Sequence, residues 1–354
     1  MNTGRRTALR KLGVLGVAGC LPLSALRAGS RPAEEGKIFT VSGPIDPSEL
    51  GFCLPHEHVL SKFGAPPAEP ATFDEERALA EVVPYLQYLR ELGVGTIADC
   101  TAYGFGRHPA LLARLSQDSE VHLITNTGFY GAAEDRYVPE SAYELTAEEI
   151  AAIWTKEYEE GIGDTGIRPG FVKTAVDSGP ISEIDAKLVR AAAITHRNTG
   201  LTLAIHTGNN APAAAQQLII LEGEGVHPSA WTWTHAQNVP DPEPLLEAAA
   251  AGAWISLDGL KLPYYQAGKL QGDSTFDRHL DHLLALREAG YLEQVLLSHD
   301  GSSFPPDLEA RRPMDFLSNA FLPVLKAKDF TEDEIDTLTV ANPARYFTVR
   351  KRLL

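Results

Sequence analysis

From about residue 50 onward the chain repeats one pattern: a short apolar run, a polar or glycine-containing loop, then a segment with apolar residues three and four apart. The apolar runs end at His56, Asp99, Thr127, Val176, His206, His235, Asp258 and Asp300. Segments with helical spacing lie at 72–92, 110–115, 146–160, 183–198, 213–222, 244–250, 275–289 and 313–338. In the first of these, Thr72 reads as an N-cap, Pro84 as a break or kink and Gly93 as the stop. Upstream, residues 37–41 followed by Ser42-Gly43-Pro44 read as a short strand entering a turn. Short apolar strands alternating with helices predict a parallel sheet covered by helices, and eight such units predict a (β/α)8 barrel. A doubly wound open sheet is the competing architecture, but no glycine-rich dinucleotide fingerprint follows the first strand. One barrel over residues 30–354 is expected, with no second domain.

In a barrel the functional groups gather where the strands end. Side chains at i and i+2 of a strand share a face, so His56 and His58 aim both imidazoles at one spot. Glu57 turns the other way and receives no ligand role. Lys173 lies on the fourth strand, and His206, His235 and Asp300 end the fifth, sixth and eighth. Singly, each has an ordinary reading: a strand-end histidine is commonly just hydrogen-bonded, and Asp300 before Gly301 suits a turn. Lys173 is harder to dismiss, because an ammonium in an apolar strand is costly unless paired or neutralised. Together the six residues make a metal-binding shell. His108, His196, His227, His279 and His282 fall on helices or loops, and His122 opens its strand at the far end, so none is given a site role. His299 alternates with Asp300 and is expected to face outward.

Composition narrows the partners more than it identifies the activity. The chain has 354 residues, 44% hydrophobic and 22% charged, with a formal net charge of −16. That balance suits a globular protein and argues against nucleic acid, whose phosphates call for a basic surface. Cys20, Cys53 and Cys100 are too few and too scattered for a disulfide framework or a thiolate zinc site. The first thirty residues differ in kind: they hold Arg5, Arg6, Arg10, Lys11 and Arg27, no acid, and an apolar run over 12–26. Residues 1–29 therefore read as an export signal of the twin-arginine type, although Gly4 and Ala8 depart from the usual motif. The expected destination is the periplasm or cell envelope. Val17-Ala18-Gly19-Cys20 also resembles a lipobox, and only lipidation at Cys20 would tie the protein to a membrane.

The placement of these residues resembles the phosphotriesterase family of the amidohydrolase superfamily. The resemblance is carried by residues 51–58, 165–173 and 204–208, by Thr234-His235 and Ser298-His299-Asp300, and by Ala341-Asn342-Pro343-Ala344-Arg345-Tyr346-Phe347. It implies two divalent ions, usually zinc, with manganese, cobalt or iron as alternatives. His56, His58 and Asp300 would hold the more buried ion, and His206 and His235 the more exposed one. Lys173, as its carbamate, would bridge them together with a hydroxide that attacks phosphorus or a carbonyl carbon. A carbamate offers two anionic oxygens where an ammonium offers none. Asp300 and Lys173 are the catalytic candidates, with Asp300 as proton acceptor. Tyr130, Asp258 and Lys261 are the expected substrate contacts, and residues 261–274 the specificity lid. Two positions depart from the family pattern. Gly259 stands where lactonase-like relatives carry arginine and organophosphate-degrading ones histidine, and His235 is followed by Ala236-Gln237 instead of the more usual Ser-Asp. The expected activity is hydrolysis of a phosphotriester, lactone or carboxylic ester. The alternative is an exported, inactive metal- or ligand-binding protein on the same barrel. Homodimerisation is left open.

Overall fold

The computed structural model describes residues 36–262, 275–304 and 312–354, and the backbone of the strands Tyr264–Gln266 and Lys269–Gln271. The expected export signal, the Cys20 motif and much of the expected lid lie outside the described residues.

Eight parallel strands close into a barrel. In order they are Phe52–Leu60, Val94–Asp99, a third in two pieces (His122–Ile124 and Asn126–Thr127), Phe171–Ala175, Thr202–His206, Trp231–Thr234 and Trp254–Leu257. The eighth also comes in two pieces, Val295–Leu297 and Ser302–Phe304. The first piece of strand eight pairs with strand seven and the second with strand one; the two pieces of strand three divide their pairing between strands two and four in the same way. These two broken strands are the seams where the sheet closes on itself.

Local chemistry accounts for most helix boundaries. Thr146 caps the helix Ala147–Glu160 in a capping box with Glu149, and Ser182 caps Glu183–Thr199. Gly200, at φ +85, ends the latter helix in a left-handed turn. Three details differ from the sequence reading. The first strand does not stop at His56 but runs to Leu60, so both histidines sit mid-strand. Asp74, not Thr72, caps the next helix by accepting from Arg77 N, and Glu75–Glu91 passes through Pro84 as one element. The closing helices extend past the expected Leu338: Leu322–Ala327 follows a wider turn at 317–321, and Glu332–Asp336 continues through another at 337–341 into Asn342–Phe347.

The bottom of the barrel is plugged. Ile38 and Leu50 pack with Phe171, Trp254, Tyr346 and Phe347 in a cluster closed off by the hairpin Ile38–Thr40/Gly43–Ile45 and the last helix. Each fully buried Phe contributes roughly 1.5–3 kcal/mol by leaving water. With that end filled, the polar strand ends are exposed only toward the opposite mouth.

Candidate metal centre

Four imidazoles meet at the mouth, and each has its Nδ1 engaged by the protein. His56 Nδ1 lies 3.0 Å from Asp258 Oδ2, and His235 Nδ1 lies 2.7 Å from Asp258 Oδ1. His206 Nδ1 is 3.1 Å from the Tyr130 hydroxyl. His58 Nδ1 is 2.8 Å from Thr101 Oγ1, which itself donates to the Leu60 carbonyl at 2.6 Å. Since that hydroxyl proton is already used, His58 must donate from Nδ1, which leaves its Nε2 lone pair facing the mouth.

The Nε2 side is where the ligand atoms collect. His58 Nε2 and His56 Nε2 stand 3.1 and 3.5 Å from Asp300 Oδ1. His56 Nε2 is buried and has no hydrogen-bond partner among the described residues. The donor atoms of His56, His58 and Asp300 all lie within 4.8 Å of one another, as do those of His56, His235 and Asp258. In the second group the Asp258 oxygens already accept from Nδ1 atoms, so only the first presents lone pairs to a common point. Ring centroids of His206 and His235 are 4.5 Å apart, and those of His56 and His235 5.0 Å. Lys173, 1% exposed, lines the same cavity, and no described carboxylate pairs with it. Four imidazoles, one carboxylate and a buried amine without thiolate suit zinc and its first-row neighbours. The donor set fits the two ions that the resemblance implies.

Electrostatics favour the ligating forms of His58, His206 and Asp300, whereas His56, which burial alone would lower, is raised well above the ordinary imidazole range by Cys100 and Asp258. Burial pushes the His58 imidazole down to about 4 despite Asp300 beside it. Burial, then the neighbouring His235 and Lys173, holds His206 well below the ordinary range. Burial would raise Asp300, but the Arg312 guanidinium beside it holds it well below the usual carboxylate range. Asp258 is likewise held low against burial by His235 and His56. At neutral pH the carboxylates are anionic, and His58 and His206 keep open lone pairs.

Two of the candidate ligands have left-handed backbones, His235 at φ +61 and Asp300 at φ +52. Such residues persist where the surroundings over-determine them. The His235 backbone N–H donates to both oxygens of Asp258. Asp300 is held through its chain neighbours by Glu57, a residue assigned no ligand role above. Glu57, 0% exposed, accepts from Ser298 Oγ at 2.7 Å, His299 N at 3.0 Å, His299 Nδ1 at 2.6 Å and Gly301 N at 2.6 Å. The Leu317 N–H donates to His299 Nε2, which places that ring's proton on Nδ1, facing Glu57. Glu57 and His299 do turn away from the ligand cluster, as expected, but into a buried clasp across the seam. An acid in the middle of an apolar strand was the available signal.

The other expected contacts separate. Tyr130 lines the cavity and bonds His206, whereas Phe129 packs against Tyr103 and Trp154. Asp258, expected to touch substrate, is 0% exposed and lines neither cavity; it orients two imidazoles and accepts from Ser256. Lys261 lines a second cavity. The mouth has two lobes, of about 450 and about 400 Å³, which share His206, His235, Asp300 and Arg312. One is walled by Phe63, Phe105 and Tyr130, the other by Gln237, Gly259, Lys261 and Arg312. Arg312, which the sequence reading did not single out, places Nη1 2.8 Å from Asp300 Oδ2.

A model of the phosphotriesterase family matches residues 36–347. The aryldialkylphosphatase of Saccharolobus solfataricus is 27% identical over 317 residues, covering 86% of this chain and 97% of that protein. The N-acetyltaurine hydrolase of Danio rerio is 25% identical over 347 residues, covering 89% and 99%. A mutant organophosphorus hydrolase from Deinococcus radiodurans, a solved structure, aligns with a TM-score of 0.77 at 29% identity, over 90% of this chain and 98% of that one.

Proposed function

The chain belongs to the phosphotriesterase family, and on that premise we propose that it is an exported, binuclear metal-dependent hydrolase of an ester, lactone or phosphotriester. The observation that carries this reading is the set of four imidazoles, each tied at Nδ1, that meets Asp300 and the buried Lys173. His56, His58 and Asp300 would hold one ion, His206 and His235 the other, and Lys173 as its carbamate would join them. Bound there, the ions supply Lewis acidity and an activated water. Asp300, anionic and open to both lobes, would accept a proton from the attacking water. Tyr130 and Asp258 hold His206, His56 and His235 in orientation, and the Phe63–Phe105–Tyr130 wall excludes water from the apolar arm of the substrate. An inactive binding protein would have no use for Lys173 and Asp300 together.

The test is a hydrolysis panel of lactones, aryl esters, phosphotriesters and N-acyl amides, run on protein loaded with zinc or manganese in bicarbonate. Lys173→Ala and Asp300→Asn are expected to lower kcat by at least about 100-fold, the scale of losing a positioned acid–base group. Protein that retains no transition metal and gains no hydrolysis on loading would sink the reading. We also propose that residues 1–29 direct export; mass spectrometry of the envelope fraction should find them removed, and an intact Met1 there would contradict it.

A further inference from the structure

Gln237 and Gly259, at the ends of strands six and seven, touch each other. A Cβ built on Gly259 would lie 2.3 Å from Gln237 Nε2 and 3.1 Å from its Cδ, so the Gln237 side chain occupies the space over Gly259. Gln237 is 3% exposed, and its Oε1 accepts from the Asp258 backbone N–H at 3.1 Å. That bond fixes the amide flip, so the end that stands over Gly259 is Nε2, which carries two protons to donate. Both residues line the second lobe, and no described residue accepts from Nε2. An amide N–H2 this buried is costly to leave unbonded, and the side on which it is open is the lobe.

The rest of the lining is balanced or already engaged. Lys261 and Arg312 are matched by Asp300 and Asp315, so the lobe favours neither sign of charge. Arg312 Nη1 is paired with Asp300 Oδ2 at 2.8 Å, and Asp315 accepts from the Tyr88 hydroxyl at 3.0 Å and from Asn319 at 3.1 Å. Thr275 Oγ1 donates to the Gly259 carbonyl at 2.7 Å and accepts from Lys261 N at 3.1 Å, so its proton is not offered to the lobe. Lys261 and Asn238 stand at the exposed rim. Leu260, 1% exposed, and Phe316, 9% exposed, supply apolar wall. Apolar wall with a buried, unengaged amide donor suits an uncharged arm that carries an acceptor oxygen.

We propose that Gln237 is a specificity-determining residue whose Nε2 donates to a carbonyl oxygen on an uncharged substrate arm in the second lobe, and that Gly259 leaves the space in which it stands. The inference rests on the hydrolase reading and narrows its substrate to one with a second carbonyl group beyond the bond that is cleaved. The lobe walled by Phe63, Phe105 and Tyr130 receives the other arm.

The experiment uses the metal-loaded full chain and a matched pair of neutral esters, para-nitrophenyl levulinate and para-nitrophenyl isocaproate. In the second a methyl group takes the place of the ketone oxygen, and both rates are corrected for uncatalysed hydrolysis. The levulinate is expected to be favoured in kcat/KM by about three- to tenfold, the scale of one neutral hydrogen bond, and mainly through KM. Gln237→Glu keeps the acceptor for Asp258 N–H but puts an acceptor where the donor stood, and is expected to abolish or invert the preference. Gly259→Ala meets only the far end of a flexible side chain, so it should push the amide aside and erase the preference with Gln237 still present. A purely structural role through Asp258 would slow both esters alike in the two variants and keep their ratio, which would overturn the inference. Equal kcat/KM for the two esters in the parent protein would also overturn it, leaving the hydrolase reading intact. Loss of the preference in Lys261→Gln but not in Gln237→Glu would overturn the assignment to Gln237. If no ester is cleaved, the hydrolase reading fails, and the side-chain amide NMR signals of Gln237, identified by their loss in Gln237→Glu, decide the subsite separately. Their displacement by N-methylpyrrolidone, a neutral acceptor, supports it; signals that do not move end it.

Discussion

Glu57→Gln tests whether the seam clasp holds the centre. The substitution keeps shape and removes one negative charge from a side chain that is 0% exposed. Three donors converge on Oε1 and one on Oε2. The better amide orientation therefore leaves its oxygen on Ser298 and His299 and turns its N–H2 toward the Gly301 N–H. One hydrogen bond to a charged acceptor is lost, worth about 1.5–3 kcal/mol, and the three that remain weaken as their acceptor becomes neutral. The sum is about 3–5 kcal/mol, a large part of the 5–15 kcal/mol typical of a folded domain. Glu57→Ala would strand all four donors and is expected to prevent folding. Urea unfolding followed by circular dichroism reads the stability. Metal retention after dialysis reads the position of Asp300, because Gly301 and His299 flank it in the chain. A Glu57→Gln protein within about 0.5 kcal/mol of the parent and with the same metal retention would refute the assignment, since that is the scatter of unimportant surface changes.

Three further outcomes follow from the geometry. Asp258→Asn removes the shared acceptor of His56 and His235, and is expected to cost about 10–100-fold in metal affinity, measured by competition with a chromogenic chelator. Gly128→Ala would place a Cβ 1.9 Å from the Lys173 carbonyl at φ +128, so it should destabilise by more than the roughly 1–3 kcal/mol of backbone strain alone, with a fall in melting temperature as readout. His196, buried on its helix with Nδ1 on Leu201 O and Nε2 accepting from Arg352 N, is lowered by burial to about 4. The unfolded chain takes up that proton near its ordinary value and the folded one does not. The stability His196 provides is therefore complete above about pH 6.5 and lost as pH falls toward 4, by roughly 3 kcal/mol. Urea titrations of the parent and of His196→Asn across that window should show a shallower slope in the variant.

The barrel and its strand-end polar residues were legible because both are local patterns. An apolar run followed by helical spacing announces a β/α unit, and a histidine or aspartate at its close falls at the mouth wherever the strand sits in the sheet. Lys173 stood out for the same reason, as a charge where the pattern calls for an apolar residue. Distant pairing was not legible. Glu57 looks idle until Ser298, His299 and Gly301 arrive from 241 to 244 residues away. Asp258 shares its place at a strand end with true cavity residues, and only its two imidazole partners show that it points into the wall. Gln237 and Gly259 were visible as separate departures, but that one fills the space of the other is a matter of packing. The cap at Asp74 in place of Thr72 is a smaller case, in which two neighbouring candidates competed for one helix end.

The clasp across the seam also sets an order of events in the cell. The ribosome delivers His56, Glu57 and His58 early and the partners of Glu57 more than two hundred residues later. Until those partners emerge, Glu57 is a carboxylate in an apolar strand with nothing to bond but water, which opposes its burial. The first strand therefore cannot settle into its final place while the eighth is still in the exit tunnel, and a nascent chain stalled there offers its four imidazoles without Asp300. On the hydrolase reading, metal capture would belong to the end of synthesis, when the last strand docks, and a truncation before Ser298 should leave a chain that neither closes nor loads.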